Sequence, residues 1–148
     1  MSVTVIPYSD RHFEDVDRLW REAFGDDLPR HRADVVIPAK LAFQPDLLLV
    51  AVEQDRVIGS VMAGYDGHRG YINRVAVLKN CRSRGIGDLL MRAAEEKLVA
   101  LGCRKINLQV RASNQAVVDF YRTLGYGVEE RVSMSKLTSP SLDSEKAS

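Results

Sequence analysis

Two arginines and two glycines alternate with small residues in Arg82-Ser83-Arg84-Gly85-Ile86-Gly87. Directly beyond, Leu89, Leu90, Ala93, Ala94, Leu98 and Leu101 recur with Ile86 at the spacing of one helical face. The first turn of a helix has amide N–H groups without intrahelical partners and a partial positive charge, so it favours an anion. Glycine at 85 and 87 lets the backbone approach phosphate oxygens with no Cβ in the way. From Gly67 to Gly87 there are five Arg or Lys residues and no acid. That asymmetry suits a polyanionic ligand. The plainer reading is a glycine-eased turn between a strand and a helix. Two phosphate-binding patterns are excluded: no G-K-[ST] follows, and the third glycine of a dinucleotide fingerprint would fall at Leu90.

The elements around this loop follow from periodicity. Val3 to Ile6 reads as a strand closed by Pro7, with Asp10 as N-cap of a helix carrying Phe13, Val16, Leu19, Trp20 and Phe24 and stopped by Gly25. Pro38 interrupts Arg30 to Phe43, which predicts a short or broken helix. Asp46 to Glu53 and Val57 to Tyr65 predict a hairpin turning at Gln54-Asp55-Arg56. After the turn Asp66 to Gly70, Tyr71 to Leu78 is the next strand, and the long helix ends at Gly102. Lys105 to Arg111 alternates like a strand, Ser113 or Asn114 caps a helix ending at Gly125, and a last strand pair is expected around Gly127 to Leu137. The order predicts an α/β fold: a mixed, largely antiparallel twisted sheet with flanking helices and a central parallel strand pair joined by the Gly85–Leu101 helix.

The chain has 148 residues, 45% hydrophobic and 28% charged, which predicts one domain over residues 1–137 and a frayed tail over 138–148. With 21 Lys or Arg against 20 Asp or Glu the net charge is +1, which argues against wholesale nucleic-acid binding. The longest apolar run, Leu47 to Val52, is far short of the ~20 residues that span a bilayer, and no secretory signal is visible. Two cysteines, Cys81 and Cys103, make no disulfide framework, so the expectation is a cytoplasmic protein. No metal is expected.

With the loop in place, the sequence resembles the GNAT N-acetyltransferases, and within them the small bacterial YpeA-type acetyltransferases. Their acetyl-CoA signature, R/Q-x-x-G-x-G/A, is matched by Arg82, Gly85 and Gly87, after a strand containing Val75-Ala76-Val77. A second motif is matched by Asn114, Phe120-Tyr121 and Leu124-Gly125-Tyr126. The resemblance implies the GNAT fold and transfer of acetyl from acetyl-CoA to a primary amine by direct attack in a ternary complex, with no metal. It implies that Arg82, Ser83, Arg84, Gly85, Ile86 and Gly87 hold the diphosphate. Val75 and Val77 would pair with pantetheine as an added strand, the Val75 amide also stabilising the oxyanion. Asn114 would hold the pantetheine arm and Tyr121 would be the general acid. Cys81, in the loop, has no expected role as an acyl carrier. A CoA-binding module without turnover is the alternative, and a monomer or homodimer is expected.

The base departs from the family pattern. Where many relatives carry Glu, this chain has Ile72-Asn73-Arg74, and an amide takes no proton at neutral pH. Candidates are His68, Asp66, Glu53 or water. The acceptor class feels the difference. A lysine amine of pKa about 10.4 is neutral in roughly one molecule in 2,500 at pH 7, a cost of ~4.6 kcal/mol, whereas an α-amine near 7.8 is neutral in about one in seven. That favours α-amino acceptors: amino acids or peptide N-termini. The acids Glu14, Asp15, Asp17, Glu22, Asp26 and Asp27 would attract a cationic amine or form a solvated helix face.

Overall fold

Alternation of buried and exposed side chains builds the strands, and the computed structural model describes residues 2–25 and 28–139. The chain forms two compact units, Met1–Leu108 and Gln109–Ser148. In the first unit β1 (Thr4–Pro7), β2 (Leu48–Glu53), β3 (Arg56–Tyr65), β4 (Gly70–Val77) and β5 (Ile106–Asn107) form a sheet in the order β1-β2-β3-β4-β5. Successive strands are antiparallel up to β4, and β4 pairs with β5 in parallel through Gly70↔Ile106 and Tyr71↔Asn107. Gln54 and Asp55, at φ +52° and +64°, make the two-residue turn joining β2 to β3.

Helices cover both faces. Gly59 lies against Leu90 and Ile86 of α3 (Ile86–Ala100), whereas the next residue, Ser60, meets Trp20 of α1 (Phe13–Phe24). Neighbours along a strand point to opposite faces, so α1 and α3 sandwich the sheet. On the α1 side Val16, Leu19 and Trp20 pack with Leu48, Val50, Val57 and Ala76, joined by Ala33 and Ile37 of α2 (Ala33–Phe43). Ile86, Leu90, Met91, Ala94 and Leu98 are the buried stripe of α3.

Three expectations change. Pro38 sits inside a continuous α2. Its missing N–H removes one intrahelical bond, and burial of Ala33 and Ile37, with Gln44 Nε2 donating to the Tyr65 carbonyl at 2.8 Å, holds the helix regardless. Asp10 is not the N-cap; Ser9 opens a short 3-10 turn, Asp10–His12, ahead of α1. The parallel pair lies at the sheet's edge rather than its centre, because β5 is only two residues long and no strand follows it among the described residues.

The second unit contains α4 (Gln115–Thr123), capped by Asn114, whose Oδ1 accepts from Val117 N at 3.4 Å, and followed by Gly125 at φ +96°. The strand pair expected around Gly127 to Leu137 is absent: residues 127–137 contain no strand, and Val128, Val132 and Met134 are exposed. Alternation supplies a candidate strand, but only a backbone partner makes one. The tail expected over 138–148 lies outside the described residues from Pro140 onward.

Candidate active site

The β3–β4 ladder is interrupted where the site is expected. Ser60 pairs with Ala76 and Met62 with Asn73, so Val61 alone opposes Arg74 and Val75. This is a β-bulge on β4, and Arg74 takes φ +52° to form it. β5 pairs only with Gly70 and Tyr71, so within this unit the outer edge of β4 has no strand partner from Ile72 to Val77. The direction of the free groups follows from the ladder. Leu78 N donates to Ile58 O, which makes 78/58 a hydrogen-bonded pair and 77/59 a non-bonded one. Val77 therefore turns its N–H and C=O to the open edge, and the same alternation turns Val75 outward.

The loop after β4 supplies donors. Ser83 and Gly85 both lie in the left-handed region, at φ +65° and +77°, and Gly85 is the N-cap of α3 with open space where a Cβ would stand. The first intrahelical bond runs from Leu89 N to Gly85 O, and among the described residues no backbone acceptor takes the amides of Ser83 through Gly87. Arg82 Nε reaches back to Val77 O at 3.3 Å. Arg84 is committed elsewhere: its two terminal nitrogens bond both oxygens of Glu53 at 3.1 and 2.6 Å. Cys81 is buried beneath the loop, with Sγ 3.3 Å from Asn80 Oδ1.

In the second unit Tyr121 makes a tilted contact with Phe120 and an edge-on contact with Tyr126, ring centroids 5.1 and 5.9 Å away. Burial pushes its phenol above the ordinary value, which keeps the proton on oxygen at neutral pH. Asn114 uses Oδ1 to cap α4, so the chemistry its side chain has left to offer is its amide N–H groups.

An open strand edge beside a helix N-terminus with free amides is a place for an extended, diphosphate-bearing molecule. The sequence pattern of the acetyltransferase (GNAT) family matches residues 13–126. The chain belongs to the GNAT acetyltransferase family. It is 42% identical over 134 residues to an acetyltransferase of Sodalis glossinidius, covering 89% of this chain and 91% of that one. The fold matches Ard1 from Thermoplasma volcanium with a TM-score of 0.79 at 21% identity, over 87% of this chain and 85% of that one. It also matches the aminoglycoside N-acetyltransferase AAC(6')-Iy, solved in complex with CoA, with a TM-score of 0.74 at 20% identity, over 93% and 95% of the two chains. The protein is thus an acetyl-CoA-dependent N-acetyltransferase, with acetyl-CoA as its co-substrate.

In this GNAT acetyltransferase two of the candidate bases, Glu53 and Asp66, are already occupied. Glu53, clasped by Arg84, is held below the usual carboxylate range by that hydrogen bond. Asp66 Oδ1 accepts from the amides of Arg69 and His68 at 2.7 and 2.8 Å, which closes the β3–β4 turn and lowers its pKa in turn. His68 is exposed in that turn. Three of the acids of α1 are engaged too, and Glu14 is exposed. Asp15 pairs with Arg18 and accepts from Val57 N, Asp17 pairs with Arg21, and Glu22 accepts from Lys79 N. Asp26 and Asp27 lie outside the described residues. Among the described residues no three His, Cys, Asp or Glu side chains gather as a metal site, and no helix is long and apolar enough to cross a membrane.

Pattern reading missed Ser60, Trp20 and Arg74 as a group. The available signal was a lone hydroxyl inside the apolar run of residues 57–63, since a buried polar side chain must find a partner.

Proposed function

We propose that the chain transfers acetyl to an α-amino group, of an amino acid or a peptide N-terminus, by direct attack within a ternary complex in the cytoplasm. The observation that carries this reading is the open outer edge of β4 between Ile72 and Val77, ending at a loop of unbonded amides. Val75 and Val77 offer their outward backbone groups to the pantetheine amides as an added strand would. For Val77 O to take part, Arg82 must release its 3.3 Å bond, which frees that guanidinium for the diphosphate. The amides of Ser83 through Gly87 bind the same phosphates, as an α-helix N-terminus does for anions. Arg84, neutralised by Glu53, adds less charge than Arg82 and serves to hold the loop to β2.

The Val75 N–H polarises the thioester carbonyl and takes up the negative charge that develops on its oxygen. Tyr121 gives its proton to the departing thiolate, and Asn114 donates from its amide nitrogen to the pantetheine arm. An ordinary phenol, of pKa about 10, protonating a thiolate whose acid is near 8.5 is uphill by ~2 kcal/mol; burial of Tyr121 widens that gap, and a water-poor site offsets it by disfavouring free thiolate. With Glu53 and Asp66 both bonded, deprotonation of the attacking ammonium falls to water or His68. This supports an acceptor whose neutral form is already populated at pH 7. The test is thiol release over a panel of free amino acids, short peptides blocked at lysine or at the N-terminus, and polyamines. Turnover confined to free α-amines supports the reading, and turnover confined to lysine side chains or polyamines overturns it.

A further inference from the structure

The bulge in β4 is held by a relay from two side chains, one on α1 and one on β3, to a backbone carbonyl of β4. Arg74 stands in a left-handed conformation, unfavourable for a residue with a Cβ and kept only where its surroundings over-determine it. Its carbonyl accepts from Ser60 Oγ at 2.9 Å, and Ser60 Oγ accepts in turn from Trp20 Nε1 at 2.9 Å. An indole N–H can only donate, so it occupies a lone pair of the hydroxyl and leaves the serine proton for Arg74. The direction of the relay is fixed. Ser60 is fully buried and Trp20 is 4% exposed, so water does not compete. The other end of Arg74 is gripped as well: its guanidinium lies over Phe24 at 4.6 Å and Trp20 at 5.3 Å, and Nη2 donates to His31 O at 3.3 Å.

The carbonyl of Arg74 and the N–H of Val75 belong to one peptide unit. No peptide bond among the described residues is cis, so the two groups point in opposite directions across that plane. Whatever fixes the first aims the second. We propose that Ser60, oriented by Trp20, is a positioning residue that locks the Arg74–Val75 peptide and thereby sets the direction of the Val75 N–H. The proposal rests on the role assigned above to Val75 only for its effect on rate; the lock itself is a claim about geometry.

Two readouts separate these. The first is the Val75 amide resonance in 15N-valine-labelled protein, recorded for wild type, Ser60→Ala, Ser60→Thr and Trp20→Phe. The second is steady-state kcat and KM for acetyl-CoA, with CoA affinity measured alongside. Ser60→Ala is expected to move the Val75 resonance and lower kcat about tenfold or more, with KM and CoA affinity within about twofold. Ser60→Thr keeps the hydroxyl and restores both readouts, and Trp20→Phe falls between because the hydroxyl loses its orienting donor. An unmoved Val75 resonance in Trp20→Phe and in folded Ser60→Ala overturns the lock. A moved resonance with unchanged kcat upholds the lock and overturns Val75 as the oxyanion donor. Should Ser60→Ala fail to fold, Trp20→Phe compared with Ser60→Thr decides between the same outcomes.

Discussion

Glu53, the last residue of β2, clasps Arg84 with both carboxylate oxygens, at 2.6 and 3.1 Å, across 31 residues of sequence. The pair ties the loop before α3 to the sheet. It also decides what each partner does: the carboxylate is tied to a guanidinium, and the guanidinium is neutralised before any diphosphate arrives. Glu53→Gln should therefore leave the acid limb of the kcat–pH profile unchanged. CoA affinity should shift by less than about fivefold, since a solvent-screened ion pair contributes little. Loss of the acid limb in this variant would make Glu53 the base.

The same pairing has a pH signature in stability. The folded pKa of Glu53 is depressed by Arg84, and that of Asp66 by the amides of Arg69 and His68. A carboxyl with a depressed folded pKa contributes stability that is complete above its unfolded value, near 4, and is lost as pH falls through the folded value. Thermal melts between pH 6 and 3 should show Tm falling below about pH 4. The fall should be shallower in Glu53→Gln, and Asp66→Asn should leave kcat at neutral pH intact.

Tyr121 titrates in the opposite sense. Burial raises its pKa above the ordinary phenol value near 10, so the phenol is protonated throughout the neutral range. An alkaline limb of kcat arising from Tyr121 must lie above that value. Tyr121→Phe should lower kcat by about 10²-fold or more while CoA affinity, measured by calorimetry, stays within about twofold. Unchanged turnover would reduce Tyr121 to a packing residue beside Phe120 and Tyr126.

Gly59 lies where α3 packs tightly on the sheet. A Cβ there would stand 2.9 Å from Leu90 Cδ1 and 3.0 Å from the Ala76 carbonyl, and a backbone oxygen in the ladder has little room to yield. Gly59→Ala should destabilise the fold by about 1–3 kcal/mol, read by urea denaturation. Gly25→Ala meets open space, so its cost is the backbone strain at φ +55° alone, about 1–2 kcal/mol.

Short-range signals were legible in the order of residues. Gly25, Gly102 and Gly125 stop helices in the left-handed region, Asn114 caps α4, and Gln54-Asp55 turns β2 into β3, because each of these signals acts within a few residues. The turn at Gly85 that opens α3 was legible for the same reason. Long-range partnerships were not. That Arg84 belongs to Glu53, that Pro38 leaves α2 intact, and that Ser60 and Trp20 hold Arg74 in a bulge emerge only once the chain has folded. Those outcomes depend on partners 14, 21, 31 and 40 residues apart, brought together by burying α1 and α2 on the sheet. A strand pattern without such a partner stays a pattern, as Val128, Val132 and Met134 show; pairing and burial, which no short window contains, turn alternation into structure.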